Sequence, residues 1–174
     1  MRGRALRLAA AMLLLALAHR GQAQPAEPES ESESDEERNW TEQQFKLPPY
    51  PKSADLVQFP VGVTGGNRFF IDPASVDIGA DGVVRYTLVI RSPSGAENVS
   101  FEGMRCRTGE RKVYAFGHRD GTWANARVPT WTKVRATDLN NHYSVLYREH
   151  FCPEKRTVKT VAIAVQSLRF PPQR

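Results

Sequence analysis

From Arg68 to His118 the apolar residues recur mostly with a period of two, the pattern of strands with one face turned to a core. The run Val83–Arg91 is the clearest. Val84, Tyr86, Leu88 and Ile90 take one parity and Arg85, Thr87 and Arg91 the other, which predicts an apolar face and a solvated one. Upstream, Arg68-Phe69-Phe70-Ile71 predicts a strand that Asp72-Pro73 breaks. Val76 and Ile78 then lead to a hairpin at Gly79-Ala80-Asp81-Gly82, where glycine accepts the positive φ of a tight turn. Downstream, Glu97 to Arg107 carries Val99 and Phe101 on one parity but Met104 and Cys106 on the other. A bulge at Gly103 would bring all four to the core side and leave Arg105 and Arg107 pointing outwards. Arg111 to His118 is the next strand, and Asp120-Gly121 turns the chain into Thr122-Trp123. Together these segments predict an antiparallel meander.

The period changes near Asp138, a suitable N-cap, after which Leu139, Tyr143, Leu146, Tyr147 and His150 fall on one helical face. Cys152-Pro153 ends that helix. Val158, Val161, Val165 and Leu168 again keep helical spacing; Val161, Ile163 and Val165 would also suit a strand, and the helix is preferred. The fold class expected is therefore α+β: an antiparallel sheet meander with one or two C-terminal helices and one disulfide.

The N-terminus changes the picture of compartment. Arg2, Arg4 and Arg7 precede an uncharged apolar run from Leu8 to Ala18, followed by a short polar stretch and the small-residue exit Gly21-Gln22-Ala23. This is the order of a secretory signal peptide, with Ala16-Leu17-Ala18 as the competing cut. The apolar run is far shorter than the roughly 20 residues a membrane-spanning helix needs, so no transmembrane anchor is expected. No cysteine lies beside either cut, which argues against lipid attachment there. The expected organisation is a signal peptide over 1–23, a disordered acidic tail over 24–38 and a single α+β domain over 39–174, exported to the periplasm of a bacterium.

Export gives the two cysteines a meaning. Cys106 and Cys152 are the only ones in the chain, and an oxidising compartment favours their pairing. Two buried thiols that never meet are the bland alternative. A redox-active pair lacks the close spacing that lowers a thiol pKa.

Charge is distributed unevenly beneath a formal net of +5. Four of the 24 basic residues, Arg2, Arg4, Arg7 and Arg20, fall in the signal, leaving 20 against 19 acids. Seven of those acids lie between Glu27 and Glu37, alternating largely with serine; without them and Arg38 the rest carries 19 basic and 12 acidic residues, about +7. The alternating run has nothing to bury and repels itself, so it predicts a solubilising spacer, or a tail that screens a basic core. Asn39 to Pro51 then turns aromatic and proline-rich, which predicts an extended strap laid across the domain with Trp40 and Phe45 as anchors.

No catalytic constellation emerges. There is no G-x-S-x-G, and His118 near Asp120 sits at a strand end beside a turn. His142 and His150 are eight apart and out of phase on a helix, zinc-type spacings are absent, and Gly65-Gly66 and Gly79 to Gly82 lack the pattern of a phosphate loop. No metal or other cofactor is expected, and the protein is not expected to be an enzyme. The sequons at Asn39 and Asn98 matter only in a eukaryotic secretory route. What remains is a basic sheet face shared by Arg85, Arg91, Arg105, Arg107 and Arg111, the candidate anion-binding residues; the alternative is that they only keep a one-sided sheet solvated. Export makes nucleic acid an unsuitable partner and leaves an anionic envelope component, such as lipid head groups or cell-wall carboxylates, or an acidic protein.

Arg85-Tyr86, Glu102-Gly103-Met104-Arg105-Cys106, Tyr114-Ala115-Phe116-Gly117, Asp120-Gly121-Thr122-Trp123, Trp131 and Tyr147-Arg148-Glu149-His150-Phe151-Cys152-Pro153 together resemble the cryptic neisserial protein-like family. That resemblance spans most of residues 40 to 170 and implies an exported proteobacterial protein with no established biochemical function, commonly held to be lipid-anchored. This chain departs in lacking the anchor cysteine. Phe70-Ile71-Asp72-Pro73-Ala74-Ser75-Val76 followed by Val84-Arg85-Tyr86 is similar to the sheet of surface-adhesin protein E, which implies an adhesin as the alternative, with a small hydrolase third. The leading expectation is a non-enzymatic, envelope-associated binding domain.

Overall fold

Alternating apolar positions need a partner surface, and the chain provides one on each side of its sheet. The computed structural model describes residues 35, 37–62, 65–135 and 142–170. Within them, β1 (Val57–Phe59), β2 (Arg68–Ile78), β3 (Val83–Arg91), β4 (Glu97–Arg105), β5 (Glu110–Gly117) and β6 (Trp123–Asn125) form an antiparallel sheet in sequential order. The short β7 (Thr132–Lys133) pairs with β5. Two helices follow: α1 (His142–Val145), continued by a π-helical turn (Leu146–Phe151), and α2 (Val161–Arg169). Trp40 to Arg174 is one compact unit, distinct from Met1 to Asn39.

The predicted meander, its hairpin at Gly79 to Gly82 and its turn at Asp120-Gly121 are all present. Gly82 takes φ 76° and Gly121 φ 82°, the left-handed values those turns require. Asp72-Pro73 does not end a strand. β2 runs through it, absorbing the proline in a register irregularity between Asp72 and Asp77. Nor is there a bulge at Gly103 against β3, because the β3–β4 register is unbroken from Val83↔Arg105 to Arg91↔Glu97. Val99 and Phe101 therefore lie on one face of the sheet, and Met104, with Cys106 beyond it, on the other. The register shift falls instead between β4 and β5, at Phe101/Glu102, where Tyr114 is the extra residue.

On one face, Phe59, Phe69, Ile71, Val84, Tyr86, Leu88 and Met104 meet Val145, Leu146, Phe151, Ala164 and Leu168 from the helices. The predicted N-cap Asp138 and Leu139 lie outside the described residues. α2 is capped by Thr160, whose hydroxyl accepts from the Ile163 N–H at 3.2 Å. Cys106 and Cys152 are bonded, with Cα atoms 5.1 Å apart, tying the end of β4 to the end of the π-helical turn. That turn is wound so that the Cys152 N–H reaches the Tyr147 carbonyl five residues back, at 2.9 Å. No helix among the described residues is long and apolar enough to cross a membrane.

The other face is covered by the strap. Phe45 packs on Tyr114 (4.2 Å between ring centroids) and Phe101 (5.7 Å), Tyr50 on Trp123 (5.4 Å), and Trp40 against Trp131 (5.9 Å). This second covering buries residues that alternation assigns to solvent. Arg85 and Thr87 are 1% and 0% exposed.

Candidate functional site

The strap-covered face holds a network built around Arg85. Its guanidinium donates to Asp81 Oδ2 at 2.6 Å and Oδ1 at 3.2 Å, and to the Gln43 carbonyl of the strap at 3.2 Å. Asp81 accepts in addition from the N–H groups of Gln43 (2.8 Å) and Val83 (3.2 Å), while its own carbonyl accepts from Trp40 Nε1 at 2.8 Å. Burial pushes the Asp81 carboxyl up, but the Arg85 hydrogen bond and the two backbone N–H groups outweigh it and hold the pKa below the usual range. Gly79 leaves the space for this pair, since a Cβ there would stand 2.2 Å from Asp81 Oδ1 and 2.5 Å from Arg85 Nη1.

Beside it, Glu42 of the strap accepts from Lys112 Nζ at 2.6 Å and from the Tyr114 hydroxyl at 2.7 Å, with Arg85 Nη2 at 4.0 Å. Burial and this carboxylate together hold the Tyr114 phenol well above its ordinary pKa, so it stays a donor. Gly103 lets the Tyr114 ring come close to β4; a Cβ there would meet the hydroxyl oxygen at 2.3 Å. Lys112 also stands 5.4 Å and 5.5 Å from the ring centroids of Tyr114 and Trp131.

The five arginines predicted to share an open face do not. Arg85 is sealed under the strap, and Arg105 is buried with its guanidinium 3.6 Å from the centroid of Trp40. Arg91 pairs with Glu97 and Ser53 and stacks over Phe70 at 4.6 Å. Arg111 points to the helix side, 3.9 Å from the Tyr143 centroid, and Arg107 lies exposed in the turn after β4. Alternation reports which parity a residue has; it is silent on whether a distant segment covers that parity, and the strap does.

A second polar cluster lies on the helix side and was not foreseen. Glu102, 1% exposed, accepts from Ser100 Oγ at 2.6 Å, Tyr143 OH at 3.2 Å and Tyr86 OH at 3.4 Å. Burial raises its pKa, and the hydroxyl donors with nearby Arg111 only partly offset that. The signal in the sequence was the parity of Glu102, which it shares with Met104 and, across the strands, with Tyr86. Ser100 is thereby engaged with Glu102, and Asp120 accepts from the Thr122 N–H (3.0 Å) and hydroxyl (2.6 Å). His118 lines a separate groove of about 540 Å³ with Tyr50, Glu97 and Arg119. Among the described residues, no group of three or more His, Cys, Asp or Glu side chains could hold a metal ion.

Both buried histidines pack in the core. His150 lies edge-on to Phe59 with Nδ1 3.2 Å from Ser167 Oγ, and His142 stacks on Phe69 at 4.7 Å. Neither ring nitrogen of His142 has a hydrogen-bond partner among the described residues, and burial, with Arg111 nearby, pushes its pKa down to about 4. A folded-state pKa below the unfolded value means stability is intact above about pH 6.5 and drains away as the pH falls towards 4. The full loss from this residue is roughly 3 kcal/mol. His150 is shifted the same way, whereas Glu102, with its raised pKa, works in the opposite sense. The difference between the wild type and His142→Phe isolates the term: urea unfolding is expected to show a markedly shallower fall from pH 7 to 4.5 in the variant. Parallel curves would refute it.

The model of the CNP1-like family matches residues 35–169. No curated protein and no solved structure matches the chain.

Proposed function

The chain belongs to the CNP1-like family, and from that membership, its leader-like N-terminus and the cross-linked sheet we propose that it is a periplasmic, envelope-associated binding domain without enzymatic activity. The observation that carries the reading is the buried Cys106–Cys152 bond between sheet and π-helical turn, a bond suited to an oxidising compartment. The side chains best suited to chemistry support a binding role as well. Arg85, Asp81, Glu42, Lys112 and Tyr114 join the strap to the sheet, and Glu102 joins β4 to Tyr86 and Tyr143. Carboxylates and hydroxyls held this way give a rigid scaffold.

Fractionation of bacterial cells expressing the full chain tests the proposal. The osmotic-shock fluid is expected to contain a protein whose mass lacks residues 1–23 and whose two cysteines resist alkylation until reduced, and it should sediment in part with purified envelopes. A full-length cytoplasmic product with free thiols would overturn export. Failure to sediment at low and high salt alike would overturn envelope association.

A further inference from the structure

The strap makes the contacts of a bound peptide. It has no regular secondary structure, and its groups are met one by one: the Gln43 N–H by Asp81, the Gln43 carbonyl by Arg85, the Pro48 carbonyl by Trp123 Nε1 at 3.0 Å. Its one carboxylate, Glu42, enters a cradle of two donors from β5, Lys112 and Tyr114, with the Arg85 guanidinium of β3 4.0 Å away. Arg85 is itself 1% exposed, and its charge is shared between Asp81 and this cradle. Two residues beyond Gln43, Phe45 lies on Tyr114 while remaining 38% exposed. Such a surface reads main-chain groups at one residue, a carboxylate just before it and an aromatic ring two residues after it.

We propose that Lys112, Tyr114 and Arg85 form a carboxylate site which Glu42 fills from within the chain, and that the partner of this face is an extended, acidic peptide segment that competes with the strap. Charge decides the class of partner: the Lys112 ammonium and a phenol that stays protonated suit a carboxylate, Glu42 already occupies them, and Arg85, paired to Asp81, adds its charge from 4.0 Å. Glu42 then acts as an internal competitor, because every external ligand has to displace a tethered one of high effective concentration. The inference rests on the domain being a binding module and names its ligand class.

Glu42→Ala in the full chain empties the cradle and allows the test. Acetate is expected to raise the melting temperature of Glu42→Ala saturably, more than chloride at equal ionic strength, and to leave the wild type unmoved. A fluorescent peptide with the sequence of residues 39–51, competing with the tethered strap, should bind Glu42→Ala more tightly than the wild type, and the same peptide with glutamine at the position of Glu42 should bind the variant roughly tenfold more weakly. Lys112→Ala added to Glu42→Ala should abolish both the acetate effect and the preference between peptides. Equal stabilisation by acetate and chloride would refute the carboxylate site. Stabilisation by acetate with peptide binding no tighter than to the wild type, or with equal binding of the two peptides, would refute the peptide partner and leave a site for free carboxylates. None of these readings depends on export or sedimentation, so failure here is separable from failure of the function proposed above.

Discussion

Arg85→Ala is expected to lower unfolding free energy by about 3–5 kcal/mol, the usual cost of removing one member of a buried ion pair. The side chains of Arg85 and Asp81 are 1% and 2% exposed, so neither charge has water to fall back on. Without the guanidinium, Asp81 keeps its two backbone donors but loses its counter-ion, and the Gln43 carbonyl loses its donor. The cation–π contacts go too, since the guanidinium lies 5.2 Å from the Phe45 centroid and 5.9 Å from that of Tyr114. Arg85→Met keeps an apolar stem and separates the loss of charge from the loss of side-chain volume. Combined with Asp81→Asn, it should cost less than the sum of the single changes, because the stranded charge is gone. Urea unfolding of the wild type, the three single variants and the double variant checks this, and a loss below about 1 kcal/mol for Arg85→Ala would show that the pair contributes little. Limited proteolysis adds a local reading: cleavage between Glu42 and Lys52 should accelerate in Arg85→Ala before global unfolding does.

Reduction of Cys106–Cys152 should cost a similar amount. The bond closes a loop across 46 positions, which in the chain-entropy picture corresponds to about 4 kcal/mol of constraint on the unfolded chain. Its place in the fold adds a consequence of location. Cys106 leads out of β4, Cys152 ends the π-helical turn, and the Tyr147 hydroxyl donates to the Cys106 carbonyl at 2.8 Å. Loss of the bond therefore loosens the helical layer from the sheet more than it loosens the strap. Urea unfolding with and without reductant measures the total, and hydrogen exchange locates it: faster exchange is expected in Leu146–Phe151 and Val161–Arg169, with the central strands changed least. A cysteine-free Cys106→Ser, Cys152→Ser variant as stable as the oxidised protein would remove the bond from the account of stability.

The elements were legible in the sequence because they are local. β3 follows from alternation between Val83 and Arg91, the hairpins from Gly82 and Gly121, α2 from the spacing of Val161, Val165 and Leu168, and the end of the π-helical turn from Cys152-Pro153. The pairing of the two cysteines was expected from the export signal read at the N-terminus, and the bond is present. Pro73 misled, because a proline tolerated at an irregular position of a strand has the same local appearance as one that ends it.

The candidate site was only half legible. Trp40 and Phe45 announced a strap, but nothing in Asn39 to Pro51 states which face it crosses, and that choice reverses the environment of Arg85 and Arg105. A residue's parity is fixed by the chain's own geometry, with successive side chains on opposite faces. Its burial depends on segments far along the chain: Gln43 meets Asp81 across 38 positions and Glu42 meets Tyr114 across 72. The sequence by itself determined the central strands from β3 to β5, the C-terminal helical segments and the identity of the charged residues. The tertiary structure alone decided that both faces of the sheet are covered, that Arg85 is a core residue and that a carboxylate of the strap occupies the cradle. The physical reason is that covering a face is a long-range event, whereas alternation, capping and turn geometry act over a few residues.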